Sequence, residues 1–162
     1  MNFGPRSLAR RVGGVVVMLL ALGPAVIVTA PAAEAYSPSA ATVAAYEARV
    51  VNRINAVRAR YHRGRLATAS CPDYYAENWS AYLARSHRFY HRSMYTVLRG
   101  CRATVAAENL ATGNASADAM VVAWMKSYYH RKNILDGRLT RIGVGAVYTH
   151  GYWVVAANFT RP

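Results

Sequence analysis

Carboxylates are scarce in this sequence. Asp and Glu number 7 in 162 residues against 20 Lys and Arg, for a formal net charge of +13 and a sequence pI near 10.4. This scarcity excludes an acidic, self-repelling chain, and an apolar content of 54% excludes a disordered basic tail. Cysteine is scarcer still. Its 2 residues exclude both a knottin-like scaffold and a four-cysteine zinc module. There is no G-x-S-x-G nucleophile elbow, and no P-loop, RRM or zinc-finger pattern. Neither an internal repeat nor a low-complexity tract follows residue 36. The length suits one ordinary domain. The basic excess favours anionic surroundings (wall polymer, lipid head groups or nucleic acid) without choosing among them. Because 18 of the 20 cations are Arg, as high-GC coding tends to give, the charge is a weak guide to function.

Residues 1–35 have the make-up of a secretory signal. Arg6, Arg10 and Arg11 form a positive start, Val12 to Ala30 is almost wholly apolar, and Ala33-Glu34-Ala35 fits an A-x-A cleavage site. A membrane anchor is the alternative, since the run reaches the ~17-residue minimum for spanning. Gly23-Pro24 interrupts that run, and no membrane span is expected after cleavage. Arg10-Arg11 hints at a twin-arginine route. The domain expected is 36–162, with 17 basic and 6 acidic residues. Export places Cys71 and Cys101 in an oxidising compartment, which favours one disulfide over two free thiols. Closing that loop would stabilise the fold by about 3–4 kcal/mol in the chain-entropy model.

Val43, Tyr46, Val50, Ile54, Val57 and Tyr61 recur at three- and four-residue steps, one face of a long helix that Gly64 ends. Arg49, Arg53, Arg58 and Arg60 lie mostly elsewhere around it. Pro72 suits the first turn of a second helix, with Tyr75, Trp79, Tyr82 and Leu83 as its buried face. A short helix is expected near Ser93–Arg99 and an extended stretch over Thr104–Thr112, broken by Glu108-Asn109. Ser116 reads as the N-cap of a fourth helix with Met120, Val121, Trp124, Met125 and Tyr128 as its apolar stripe. Alternation at Ile142, Val144, Ala146 and Tyr148 and again at Trp153, Val155, Ala157 and Phe159 makes a hairpin through Thr149-His150-Gly151. Helices followed by a hairpin imply an α+β fold, with helices covering a small antiparallel sheet.

Three polar residues stand apart from this pattern. Glu108 is the only charge in a strand-like stretch. Buried, it needs a cation, donors, a metal or a proton; on an edge strand it could instead face water. His91 closes Phe89-Tyr90-His91, and His130 follows the fourth helix. Two His and a Glu can build an open zinc site, although the helical H-E-x-x-H spacing is missing and an aromatic-flanked His is often structural. His62, His87 and His150 are assigned to solvent.

With these residues in hand a family resemblance can be stated. Asn52 to Arg58, Phe89-Tyr90-His91, Ala107 to Gly113, Ala123 to Ser127, His130 to Leu135, Gly143-Val144-Gly145 and Tyr152-Trp153 resemble, in order, the motifs of a bacterial CAP domain. That superfamily groups cysteine-rich secretory, antigen 5 and pathogenesis-related proteins. The resemblance implies a three-layer α-β-α sandwich with a central cavity lined by His91, Glu108 and His130, which would hold zinc or another divalent metal. It makes Asn109, Trp124, Ser127 and Asn133 motif positions, with Asn133 structural. Ser127 stands where many eukaryotic members have a second Glu, Tyr128-Tyr129 where Pro-Gly is common, and Ala107 where the motif has Gly. The 17-residue step from His91 to Glu108 is short for the family and resembles a subgroup in which a cysteine pair replaces a longer loop. The implied role is a secreted or wall-associated, monomeric binding module for lipid, sterol, anionic envelope polymer or a partner surface. The alternative is a metal-dependent hydrolase in which Glu108 orients or deprotonates a zinc-bound water. Specific nucleic-acid binding ranks lowest, because the Arg residues are spread over several helices.

Overall fold

The computed structural model describes residues 37–162; the expected secretory signal and its cleavage site lie outside the described residues. The first helix, α1 (Ala40–Arg60), starts where Ser39 Oγ accepts from the Thr42 N–H at 3.2 Å. There follow β1 (Ala67–Thr68), α2 (Ser70–Ser86), α3 (Met94–Gly100), β2 (Val105–Gly113), α4 (Ala117–Lys126), α5 (Tyr128–Leu135), β3 (Arg141–Thr149) and β4 (Tyr152–Arg161). The strands form one sheet in the order β1-β3-β4-β2. β2 and β3 each pair antiparallel with β4, whereas β1 pairs parallel with β3 through Ala67 and Thr68. The sheet is therefore mixed rather than purely antiparallel. A two-residue strand carries no alternation that a sequence could display.

His150 and Gly151, with φ of 49° and 84°, make the two-residue turn of the β3–β4 hairpin. Positive φ at both central positions gives the turn a hand that matches strand twist. The alternating set Ile142, Val144, Ala146, Trp153, Val155, Ala157 and Phe159 packs with α1, α4 and α5 in one core. The intervening set faces α2, where Ala76, Leu83 and Ala84 meet Leu110, Val154 and Ala156. Both sheet faces are thus covered, giving three layers, α-β-α.

Helix α2 lies very close to β3. A Cβ at Gly143 would fall 2.0 Å from Asp73 N, and one at Gly145 would fall 2.3 Å from Glu77 Cα. Only a helix with small side chains can ride on this glycine track. Its inward residues are Pro72, Ala76, Ser80, Leu83 and Ala84. Of the buried face expected for this helix only Leu83 is fully inside; Tyr82 is 37% exposed, and Tyr75 and Trp79 are half-buried. An aromatic face would have held the helix off the strand.

Two expectations for α1 also change. The helix ends at Arg60, with Tyr61 as cap and His62 at φ 52°, before Gly64 is reached, and Tyr61 is 44% exposed. Arg58, expected among the outward cations, is 1% exposed. Its Nε donates to Gly64 O (2.7 Å), Nη1 to Ile134 O (2.8 Å) and Asp136 O (3.0 Å), and Nη2 to Leu139 O (3.2 Å). One guanidinium thus satisfies a carbonyl of the last turn of α5 and those of the loops after α1 and α5. In the fourth helix Met120, Val121 and Trp124 are buried, but the stripe stops there. Ser127, at ψ 126°, ends α4 and begins α5, and Tyr128 is 70% exposed. A disulfide joins Cys71 at the start of α2 to Cys101 just past α3.

Candidate functional site

Strand β2 lies at an edge of the sheet, and two adjacent residues on it point to opposite faces. Glu108 pairs across to Asn158, which pairs on to Gly143, in the row facing α2. Its side chain is 1% exposed, so it does not face water. Oε1 accepts from His91 Nδ1 at 2.8 Å and from the Arg92 N–H at 3.3 Å, while Oε2 is buried without a partner. Burial pushes this carboxyl above the usual carboxylate range, against the opposing pull of His91 and Arg92. Glu108 thereby fastens the irregular segment 87–93 to the sheet.

Asn109 does the same for α5 on the other face. Its Nδ2 donates to His130 O (3.1 Å) and its Oδ1 accepts from Asn133 Nδ2 (2.9 Å), which also donates to Glu108 O (3.1 Å). Trp124 Nε1 donates to Leu110 O at 3.0 Å, and the His130 ring lies 6.4 Å from the Trp124 ring. Burial, and then the nearby His91, lower the His130 pKa.

His91 and Glu108 line an open hollow of about 310 Å³ with Arg92, Met94, Ala106, Ala107 and Asn133; His130 is not part of that lining. An open zinc site takes three protein donors converging on one point. Here His91 Nδ1 and Glu108 Oε1 bond each other, which leaves His91 Nε2 and Glu108 Oε2 as the donor atoms these two could offer. Among the described residues no group of three or more His, Cys, Asp or Glu is arranged to hold a metal ion. The donor types suit zinc, but their arrangement does not fit it.

A second candidate lies on the opposite layer. Between α1, α4 and α5 a groove of about 450 Å³ has Val57, Tyr61, Val122 and Met125 as apolar wall and Arg53, Arg60, Lys126 and Arg131 as rim. Arg131 sits 4.6 Å over the Tyr61 ring and donates to its hydroxyl at 3.2 Å. Asp118, at one end, binds Arg49 through two contacts of 2.8 and 3.0 Å. Arg53 Nε is 3.7 Å from Asp118, too long for a hydrogen bond, and is buried without a partner. The only sequence signal for this groove is the pair Arg53 and Arg60, two helical turns apart; its other walls come from α4 and α5, which only the fold brings near.

A third cleft, of about 340 Å³, holds Glu47 and Asp73. Glu47 Oε1 accepts from the Ala146 N–H at 2.7 Å, and Asp73 Oδ1 from the Val144 N–H at 3.1 Å. Burial raises the Glu47 pKa to about 7, with Glu77 and Asp73 adding to the rise and the Ala146 hydrogen bond opposing it. A folded-state pKa above the unfolded value means that the contribution to stability is complete below pH ~4.5 and is lost as pH rises through 7. Glu47→Gln keeps an acceptor for Ala146 without the charge. It should raise stability at pH 8 by about 1 kcal/mol, a value discounted because the group is only half-buried, and leave it unchanged at pH 4. Thermal melts of both proteins from pH 4 to 8 check this, and parallel curves would refute it.

A family model described as CAP, the cysteine-rich secretory protein family, matches residues 51–159. The uncharacterized protein YkwD of Bacillus subtilis (strain 168) is 33% identical over 119 residues, covering 69% of this chain and 46% of the relative. The chain thus spans about half the length of the curated relative it matches. An extracellular protein containing an SCP domain from Bacillus anthracis str. Ames superposes with a TM-score of 0.68 at 23% identity, over 79% of this chain and 45% of that one. An outer surface protein from Borrelia burgdorferi gives 0.68 at 15% identity, over 78% and 97%. A cysteine-rich secretory protein from Staphylococcus aureus subsp. aureus Mu50 gives 0.63 at 16%, over 76% and 40%. At such identities the structures establish a shared fold.

Proposed function

The chain belongs to the CAP, or cysteine-rich secretory protein, family, and from that premise we propose that it is an extracellular, non-catalytic binding module whose α1/α4/α5 groove takes an anionic amphiphile such as a fatty acid. The observation that carries this reading is the groove's composition, with an apolar wall for the chain and four cations for the head group. The buried, unpartnered Arg53 Nε supplies a donor that an anionic head group would satisfy. The extracellular setting is supported by similar folds in extracellular and outer-surface proteins. Among the described residues no helix is long and apolar enough to cross a membrane. The hydrolytic alternative needs a metal held by His91 and His130 with Glu108, and it has less support because no such group is found among the described residues.

Titration of the protein with a long-chain fatty acid and with its uncharged alcohol tests the reading. The acid should bind more tightly than the alcohol. Lys126→Gln combined with Arg131→Gln should weaken it about tenfold or more, as loss of charge-assisted hydrogen bonds does. Equal binding of acid and alcohol, or unchanged affinity in the variant, would sink the proposal.

A further inference from the structure

We infer that the outer face of α2, with the 87–93 segment folded over it, binds an anionic glycan, a chain of sugar rings that carries carboxylate or phosphate. Between Glu77 and Glu108 the sequence has no Asp or Glu, yet it holds five Arg and five Trp, Tyr or Phe. The core makes little use of those rings, because α2 turns its small residues to the sheet. Instead the rings form an ordered platform. Trp79 and Tyr82 stack at 4.9 Å and 11°, and Tyr90 stands at 90° to both, at 5.2 and 6.3 Å. Trp79 Nε1 donates to Tyr90 O and the Tyr90 hydroxyl to that of Tyr82. The Arg92 guanidinium lies 4.9 Å over the Tyr75 and Trp79 rings, and its Nε is buried without a partner.

Next to the platform is a hollow of about 250 Å³, walled by Leu83, Phe89, Tyr152 and Val154 with Arg88 beside them. Phe89 is 53% exposed and Tyr90 43%. Large exposed rings grouped in this way mark an interaction surface. The chemistry of a charged sugar chain matches it part by part. The C–H faces of a sugar ring pack flat against aromatic faces, its hydroxyls need polar neighbours such as the Tyr hydroxyls, and its anionic groups need the Arg side chains. Charge complementarity selects an anionic partner, since no carboxylate from this stretch opposes one. A bilayer would call for aliphatic wedges, and Phe89 is the only exposed side chain here without a polar end. A single strand of nucleic acid stacks on rings set in file, whereas Tyr90 stands across the Trp79–Tyr82 stack.

The test uses the full protein against immobilised polygalacturonate and a phosphomannan, with neutral dextran, polyphosphate, oligo-dT and phosphatidylglycerol vesicles as comparators. At least one charged glycan should bind more tightly than every comparator, and which one does identifies the anionic group. Arg88→Gln with Phe89→Ser, both at exposed positions, should lower that affinity more than tenfold with an unchanged melting temperature. The Lys126→Gln/Arg131→Gln groove variant should bind the glycan normally even if its fatty-acid binding is lost or was never present. The inference is overturned if neither charged glycan binds, if polyphosphate, oligo-dT or vesicles bind as tightly, if the Arg88/Phe89 variant binds like the parent, or if the groove variant loses as much.

Discussion

Arg58→Met should destabilise the domain by about 3–5 kcal/mol, a large share of the ~5–15 kcal/mol that holds a typical domain together. The methionine fills most of the arginine's volume, so the loss does not come from a cavity. It comes from the carbonyls of Gly64, Ile134 and Leu139, left without a donor around a side chain that is 1% exposed, while Asp136 O keeps only the long 3.4 Å bond from the Leu139 N–H. A buried acceptor without a partner costs about 1–3 kcal/mol. These carbonyls belong to the segment after α1 and to the end of α5 with the segment that follows it, which this one side chain ties together. Arg58→Lys should recover only part of the loss, because an ammonium offers three donors from one point in place of a planar fork. Urea unfolding of the three proteins decides it. A loss below about 1 kcal/mol for Arg58→Met would mean that water replaces the guanidinium at little cost.

Gly145→Ala should cost about 3 kcal/mol or more, a fall in Tm of roughly 12 °C or more at about 4 °C per kcal/mol for a domain of this size. The added methyl would stand 2.3 Å from Glu77 N and Cα, which are helix backbone and cannot swing aside as a side-chain end can. All of α2 would have to withdraw from β3, parting the Ala76 and Leu83 contacts with Val154 and Ala156. Gly137→Ala is the control, since its nearest neighbour would be Arg63 Nη1 at 3.7 Å. Similar melts for the two variants would show that the helix can shift freely.

Much of the fold was legible because it rests on periodicity. The β3–β4 hairpin shows in its alternation and its His150-Gly151 turn, and α4 in Ser116, whose Oγ caps Ala119 N–H at 3.3 Å. What was not legible depended on partners distant in sequence. Tyr75, Trp79 and Tyr82 have helical spacing like any core stripe, and only the glycine track on β3, much later in the chain, turns them outward. Arg58 looked like one surface Arg among several, because the carbonyls that bury it lie in loops and at a helix end distant in sequence. Glu108 stood out as a lone charge among small apolar residues, and the structure buries it against His91. Glu47 gave no such signal, as a single acid on a helix is normally solvated.

The carboxylates at Glu47 and Asp73 have a further consequence. By accepting the Ala146 and Val144 N–H groups they occupy the row of donors that β3 presents beyond the end of the two-residue β1. An open strand of this kind is a template on which another chain can grow. Here that template is stoppered by side chains, so a second molecule cannot lengthen the sheet from this side without first displacing both carboxyl groups. Of the 6 carboxylates in residues 37–162, two thus close the exposed part of one sheet edge.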